Sequence, residues 1–304
     1  MTGSFPFVVA GEALVDVVVP AEGERVDAPG GSPLNVAVGL SRLGLETVLV
    51  TELGDDDYGH RVRKHVEASG VVLHEGSWIP GHRTSSATAY LDADRAATYD
   101  FDLGWTLTPR TLPAGASGLH VGSIGATLRP GRDAVVDLLD QAVAAGVFVS
   151  YDPNARPVFL PPAPQAWQDM TEVAAHADLV KMSDEDVHAF APDSTPADVA
   201  AHLLASGRTR LVVVTEGGGG AQAFSRTGSV QVPAEPVDVV DTVGAGDSFM
   251  AALIAVTLAW GLDLVEDRMT ALLRAAHTVA GITCSRRGAD PPTRAELPTG
   301  GPAG

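Results

Sequence analysis

Short apolar runs alternate along this chain with stretches whose apolar residues recur every three to four positions. The Val- and Leu-rich runs at 8–10, 47–52, 119–122, 147–151, 179–182 and 211–215 have the length of strands. Between them, 34–43, 58–68, 133–145, 197–205 and two C-terminal segments have helical spacing. That alternation predicts an α/β fold of three layers, a mostly parallel sheet covered by helices on both faces. Ligands in such sheets bind beyond the carboxyl ends of the strands. Asp152-Pro153-Asn154 and Thr215-Glu216-Gly217 fall at such ends. Two segments break the alternation, 15–19 and 84–101, which carry β-type residues with no helix between strands. In the second, 86–91 and 97–101 flank Asp92-Ala93-Asp94-Arg95 as a hairpin would, so a small second sheet is expected from about 14–28 and 84–103. The Pro- and Gly-rich tail at 298–304 is expected to be disordered, and the whole chain is expected to form one domain.

Composition narrows the partners. Of 304 residues, 45% are hydrophobic and 19% charged, and no apolar stretch has the length of a membrane span. The N-terminus lacks a basic region followed by an apolar run, so a cytoplasmic protein is expected. A net charge of −18 argues against nucleic acid or an anionic membrane as partner. It does not argue against a nucleotide, whose phosphates are met by backbone dipoles and a metal ion. The single cysteine, Cys284, rules out an intramolecular disulfide and a cysteine metal site.

The chemistry concentrates at Asp241-Thr242-Val243-Gly244-Ala245-Gly246-Asp247. Three small residues lead the backbone into an apolar segment, 249–260, that has no Gly or Pro and reads as a buried helix. The N–H groups of Gly244, Ala245 and Gly246 at that helix start form a site for an anion such as a phosphoryl group. Asp247 stands in the first turn, either as a helix cap or as the group that orients a hydroxyl and takes its proton. A second Gly-rich turn, Gly30-Gly31-Ser32-Pro33-Leu34-Asn35, feeds a helix that Gly44 ends. The sequence G-x-x-x-x-G-K-[ST] is absent, which excludes P-loop chemistry, and the Gly217–Gly220 run does not complete G-x-G-x-x-G.

In this order and spacing, the two motifs resemble those of the ribokinase/PfkB family of sugar kinases, closest to its fructokinase branch, over about residues 7–292. The resemblance implies an ATP-dependent phosphotransferase with Asp247 as base and the 244–246 backbone as anion hole. It places Asp16, Gly30, Gly31 and Asn35 at the sugar, with Tyr90 and Phe101 reaching it from the small sheet, which acts as a lid and a homodimer contact. Asp152-Pro153-Asn154-Ala155-Arg156 resembles an element of fructokinases and ketodeoxygluconate kinases. Arg156 is then either a substrate or phosphoryl contact or a structural ion pair, and Asn154 falls to the nucleotide. Lys181, Ser183, Thr215, Gly217, Gly220 and His277 are likewise placed around ATP. Asp186 stands where relatives order Mg²⁺, acting through water, and Asp241 with 285–289 resembles a loop pair that binds K⁺.

The lid stretch Tyr99-Asp100-Phe101-Asp102 is acidic, which favours a small neutral sugar, fructose or a related ketose, over a sugar acid. Ribokinase, nucleoside kinase and ketodeoxygluconate kinase activities on the same fold, or a non-catalytic sugar-binding protein, are the alternatives.

Overall fold

The computed structural model describes residues 5–92, 97–205 and 207–298. The chain starts with β1 (Phe7–Ala10), passes through β2 (Leu14–Val19) and β3 (Val26–Gly30), and enters α1 (Ser32–Arg42). There follow β4 (Thr47–Val50), β5 (Leu53–Gly54), α2 (Asp57–Ala68), β6 (Val72–Leu73), β7 (Trp78–Ile79) and the hairpin β8 (Ser85–Leu91) and β9 (Ala97–Asp102). The second half runs β10 (Gly118–Gly122), α3 (Gly131–Ala144), β11 (Phe148–Asp152), α4 (Ala163–Ala174), β12 (Leu179–Ser183), α5 (Asp184–Phe190), α6 (Pro196–Ala205) and β13 (Leu211–Thr215). An antiparallel pair, β14 (Ala221–Ser225) and β15 (Gly228–Val232), precedes α7 (Ala245–Trp260), α8 (Leu262–Asp267) and α9 (Met269–Cys284).

Nine strands form the central sheet in the order β15-β14-β13-β12-β11-β10-β1-β4-β6. All its pairings are parallel except those that attach β14 and β15. Alternate side chains of β1 enter different layers: Phe7 and Val9 belong to the core that α1, α7 and α9 cover, whereas Val8 and Ala10 belong to the one covered by α3, α4 and α6. Burial on both faces is why such strands read as unbroken apolar runs. The strand order reverses at β1, which lies between β10 and β4, so the crevice expected of an open parallel sheet opens beyond β1 and β10. A separate four-stranded sheet, β3-β2-β8-β9, is built from the segments expected to form the lid.

The expected strands and helices agree with these elements to within about two or three residues at most ends. The pattern passed over α4 and the β14–β15 hairpin. The buried face of α4, Ala166, Met170, Val173 and Ala174, has helical spacing, but half of it is alanine and it follows a stretch broken by Pro157, Pro161, Pro162 and Pro164. The hairpin tip at 93–96 and the tail at 299–304 lie outside the described residues. Among the described residues, no helix is long and apolar enough to cross a membrane.

Candidate active site

Two helix N-termini meet at the crevice. A Cβ on Gly39 of α1 would stand 2.8 Å from the Cβ of Ala251 on α7, so a glycine at this crossing lets the two helices approach closely. Each helix is entered through a glycine in the left-handed region, Gly31 at φ 106° and Gly244 at φ 76°. Side chains there would also collide, with the Glu12 carbonyl oxygen at 2.7 Å from the one and Ala289 at 2.5 Å from the other.

This convergence sets the environment of Asp247, which is only 8% exposed. Its Oδ1 accepts a hydrogen bond from Ser32 Oγ at 2.6 Å, and its Oδ2 accepts one from Asn35 Nδ2 at 2.8 Å. Asn35, expected at the sugar, also donates to the carboxylate through Nδ2, and Ser32 does the same from the first position of α1. The sequence carries the signal for Ser32: a serine directly after the double glycine has its hydroxyl at the helix start. The Ala245 N–H is engaged by the Thr242 carbonyl at 3.2 Å. Among the described residues, the N–H groups of Gly244, Gly246 and Asp247 have no hydrogen-bond acceptor. The donors left for an anion are therefore Gly244, Gly246 and Asp247, so that of the expected Gly244, Ala245 and Gly246 only Ala245 is engaged within the protein.

Below these donors lies a charged floor. Asp152, at the end of β11, and Lys181, on β12, are both buried and pair at 2.9 Å. Asp186 is part of a capping box: Oδ2 accepts from Ser183 N–H at 2.7 Å and Oδ1 from Ala155 N–H at 2.6 Å. Both of its oxygens thus tie the loop after β11 to the start of α5. Glu12, which the sequence reading did not single out, accepts from Gly125 N–H at 2.8 Å, and burial pushes its carboxyl up to about 7. A charged residue two positions after a fully apolar strand is the available clue.

On the opposite wall, strand register decides what faces the crevice. Asp16 on β2 stands opposite Ala87 on β8, which stands opposite Phe101 on β9, so these three share one face. A Cβ on Gly30 would stand 2.0 Å from an Asp16 oxygen, so only glycine leaves that carboxylate its place. Asp16 is open to the crevice but has protein around its other sides. That desolvation raises its pKa to about 6, with Arg156 opposing the shift and Asp247 adding to it. Phe101 meets Phe159, in the loop after β11, edge to face at 5.0 Å between ring centroids, so the lid rests on the body of the protein.

The same register corrects two expectations. Tyr90 is opposite Val19 and Thr98, on the other face of the lid from Asp16 and Phe101, and is not brought to the sugar position. Asp100 and Asp102 are also on that other face, and Asp102 is paired with Arg83. The acidity of this stretch therefore does not line the crevice, because neighbouring residues in a strand point in opposite directions.

The other residues expected at the nucleotide come from several elements. Ser183 and Thr215 end adjacent strands in register. Gly217, at φ 51°, has open space where a side chain would lie, whereas a Cβ on Gly220 would stand 2.2 Å from the Val232 carbonyl oxygen, so Gly220 serves the turn into β14. Asn154 is in the left-handed region at φ 36° and its Oδ1 accepts from Arg156 at 2.6 Å. His277 packs edge-on against Phe249 with its Nε2 buried and unpartnered, and burial lowers its pKa. Asp241 bridges two loops by accepting from Val243 N–H at 3.1 Å and Gly288 N–H at 2.8 Å, bonds that hold its pKa down.

Helix-borne anion donors beside a carboxylate, a crevice walled by a small β sheet, and a glycine loop on the next strands describe a phosphoryl-transfer site. Comparison with known proteins agrees: residues 7–296 match the pfkB family carbohydrate kinases. The chain belongs to that family. It is 35% identical to a fructokinase of Klebsiella pneumoniae over 297 residues, 92% of this chain and 94% of the relative. A solved fructokinase with bound ATP from Xylella fastidiosa superposes with a TM-score of 0.83, at 27% identity and 93% coverage of both chains. A double-mutant fructokinase from Vibrio cholerae O395, in a form with fructose, ADP and potassium ion bound, gives a TM-score of 0.79 at 25% identity, covering 95% of each chain. Membership of the family makes this chain a carbohydrate kinase, a phosphotransferase acting on a sugar hydroxyl.

Proposed function

We propose that the protein is an ATP-dependent fructokinase. The observation that carries this reading is Asp247, held through both oxygens by Ser32 and Asn35 beside unpaired N–H groups at the start of α7. The carboxylate accepts the proton of the sugar hydroxyl as that oxygen attacks the γ-phosphorus, and ADP leaves. The N–H groups of Gly246 and Asp247 meet the negative charge of the transferring group. Asp16 accepts hydrogen bonds from the other sugar hydroxyls, and Asn35 turns one amide edge to them while keeping Asp247 in place. The lid face with Ala87 and Phe101 closes over the sugar and keeps water from taking the phosphoryl group. The preference for a neutral sugar is supported by Asp16 at the crevice wall and by the fructokinase relatives, and not by Asp100 and Asp102, which face away from the crevice.

Mg²⁺ is required to neutralise charge on the phosphates. Its fit is loose on the protein side, since the described residues hold no group of three or more His, Cys, Asp or Glu suited to a metal, so the ion arrives with the nucleotide. Asp186, through water, is its proposed protein contact. The Asp241 loop pair fits K⁺: a carboxylate kept ionised joins two loops that are also zipped by Val240 and Asp241 N–H groups on the Cys284 carbonyl. We further assign a cytoplasmic homodimer that meets through the lid, whose Tyr90 and Val26 are 48% and 59% exposed. Light scattering is expected to give twice the chain mass, and a monomer at micromolar concentration would refute the dimer.

The function is tested by ADP release with fructose, ribose, other neutral sugars and ketodeoxygluconate. Fructose is expected to give the highest kcat/KM and ketodeoxygluconate none. A nucleoside or the sugar acid as best substrate would refute the fructokinase reading.

The role of Asp16 has a pH signature. Only the ionised carboxylate accepts two hydroxyl hydrogen bonds, and its pKa is raised to about 6, so sugar binding is expected to be intact above pH 7 and to weaken as pH falls through 6. Below that value the KM for fructose should rise about tenfold per pH unit. Asp16→Asn should have a raised KM without this pH dependence. An unchanged acid limb in that variant would assign the titration to another group, Asp152 or Glu12 being the neighbours to examine.

A further inference from the structure

The small sheet joins the body of the protein at four chain crossings: 11–13 into β2, Gly31 out of β3, 80–84 into β8 and 103–106 out of β9. Three of the four converge on Glu12 and the turn after β10. Glu12 is itself the middle residue of the first crossing and is only 3% exposed. Its Oε2 accepts from the Gly125 N–H at 2.8 Å. Its backbone carbonyl oxygen stands against Gly31 in the second crossing, 2.7 Å from where a Cβ would be. The carbonyl of the same Gly125 accepts from the indole N–H of Trp105, in the last crossing, at 3.1 Å. Thr106, the next residue, donates its N–H at 2.8 Å to the buried carboxylate of Glu52, which follows β4. The Gly125 peptide is thus gripped on both sides, by the entry to the small sheet and by the exit from it. The remaining crossing is tied separately, with the Thr84 N–H donating to Asp56 at 2.8 Å. Two residues before Gly125, Ser123 is held at φ 51° while its N–H donates to the Asp152 carbonyl at 3.0 Å. Such backbone strain persists only where the surroundings fix it. A Cβ at 125 would stand 2.8 Å from Gly11 Cα and 3.1 Å from Glu12 Oε2, so the turn and Glu12 are in close contact.

We propose that Glu12 is a positioning residue for the sugar: through the Gly125 peptide it fixes three of the four points where the small sheet joins the body, and so sets where Asp16 meets the substrate. This inference rests on the kinase reading of the site and on the small sheet being its lid. Glu12 touches no reacting atom and acts through Gly125. Asp16 stands on the strand that Glu12 leads into, so a shift at Glu12 is carried along β2. Phe101 shares a face with Asp16, and its strand returns to the body through Trp105. One peptide therefore sets the height of both side chains over the crevice. A buried carboxylate destabilises the fold unless its oxygens are hydrogen-bonded, and an apolar side chain would fill the same space without that cost. The backbone that Glu12 holds gives the reason for a carboxylate at this place.

The test compares wild type with Glu12→Leu, which removes the acceptor, and with Trp105→Phe, which removes the indole donor from the other side of the same peptide. The readouts are kcat, KM for fructose, and ADP released per sugar phosphate formed. A misplaced lid admits water, which takes the phosphoryl group as inorganic phosphate and leaves ADP, so each variant should release about twice as much ADP as sugar phosphate, against equal amounts in wild type. KM should rise about tenfold, as for one lost hydrogen bond, while kcat falls by less than about threefold. A merely structural role would lower the fraction of active enzyme, and with it kcat, leaving KM and the ADP ratio unchanged. Glu12→Gln keeps an oxygen for the Gly125 N–H and should return both quantities close to their wild-type values. If Glu12→Leu does not fold, Trp105→Phe, which stays apolar and loses only a donor, carries the test. An unchanged ADP ratio with KM within about threefold of wild type, in whichever of these two variants folds, would overturn the inference alone. So would a Glu12→Gln variant as impaired as they are. A wild-type chain inert towards every sugar would overturn the kinase reading and this inference with it.

Discussion

Asp247→Asn is expected to lower sugar-dependent ADP production by about 10²–10⁴-fold while fructose still binds. The substitution keeps the size of the side chain and one carbonyl-type oxygen. Of the two donors that hold Asp247, Ser32 Oγ and Asn35 Nδ2, one would then face an amide N–H instead of an oxygen. Such a mismatch costs about 1–3 kcal/mol. The stability of a domain is about 5–15 kcal/mol, so the variant should remain folded and the rate loss should reflect lost proton transfer. Isothermal titration with fructose, together with coupled ADP release, separates the two effects. Turnover within tenfold of wild type would remove Asp247 from the role of base. Ser32→Ala should produce a smaller loss in kcat, since Asn35 still holds the other oxygen.

The other large effect expected is total dependence on a divalent cation. Around the proposed phosphate position the chain offers four carboxylates, Asp16, Asp152, Asp186 and Asp247, and the cations Lys181 and Arg156. A pair of unit charges at 4 Å interacts by about 4 kcal/mol at an effective dielectric of 20. Triphosphate without metal would meet several repulsive terms of that size and two attractive ones, and one of those cations is already paired with Asp152. Excess chelator should therefore reduce activity below detection, and Mg²⁺ should restore it. Because no group of three or more metal-ligating side chains is present among the described residues, Mn²⁺ alone should bind the free protein weakly and tightly only with ATP. Activity retained in chelator would contradict the scheme. Tight binding of Mn²⁺ by the nucleotide-free protein would show that the metal is held by the chain.

The parts of the site readable from the sequence are those made by contiguous residues. Gly244 to Asp247 dictate their own geometry: a left-handed glycine, small neighbours and an apolar segment produce a turn into a helix, and the carboxylate lands in the first turn because of spacing alone. Gly30 and Gly31 before α1 work in the same way, as do the fully apolar strands that set the central sheet. Lid face was not readable, because side-chain direction alternates residue by residue and a choice of register decides which half faces the crevice. That is why Tyr90, Asp100 and Asp102 turned outward while Phe101 turned in.

The sequence by itself determined the fold class, the two glycine turns, the candidate base and the family, since each depends on local backbone preference or on an ordered motif. Only the tertiary structure decided who holds the base, which donors remain for an anion, and which charges pair in the floor of the site. Ser32 and Asn35 reach Asp247 across 215 and 212 residues of chain. Lys181 meets Asp152 from a neighbouring strand, and the close crossing of α1 and α7 at Gly39 and Ala251 brings the two turns together. Contacts of this kind depend on how helices and strands pack in three dimensions, and no local period or propensity along the chain encodes them.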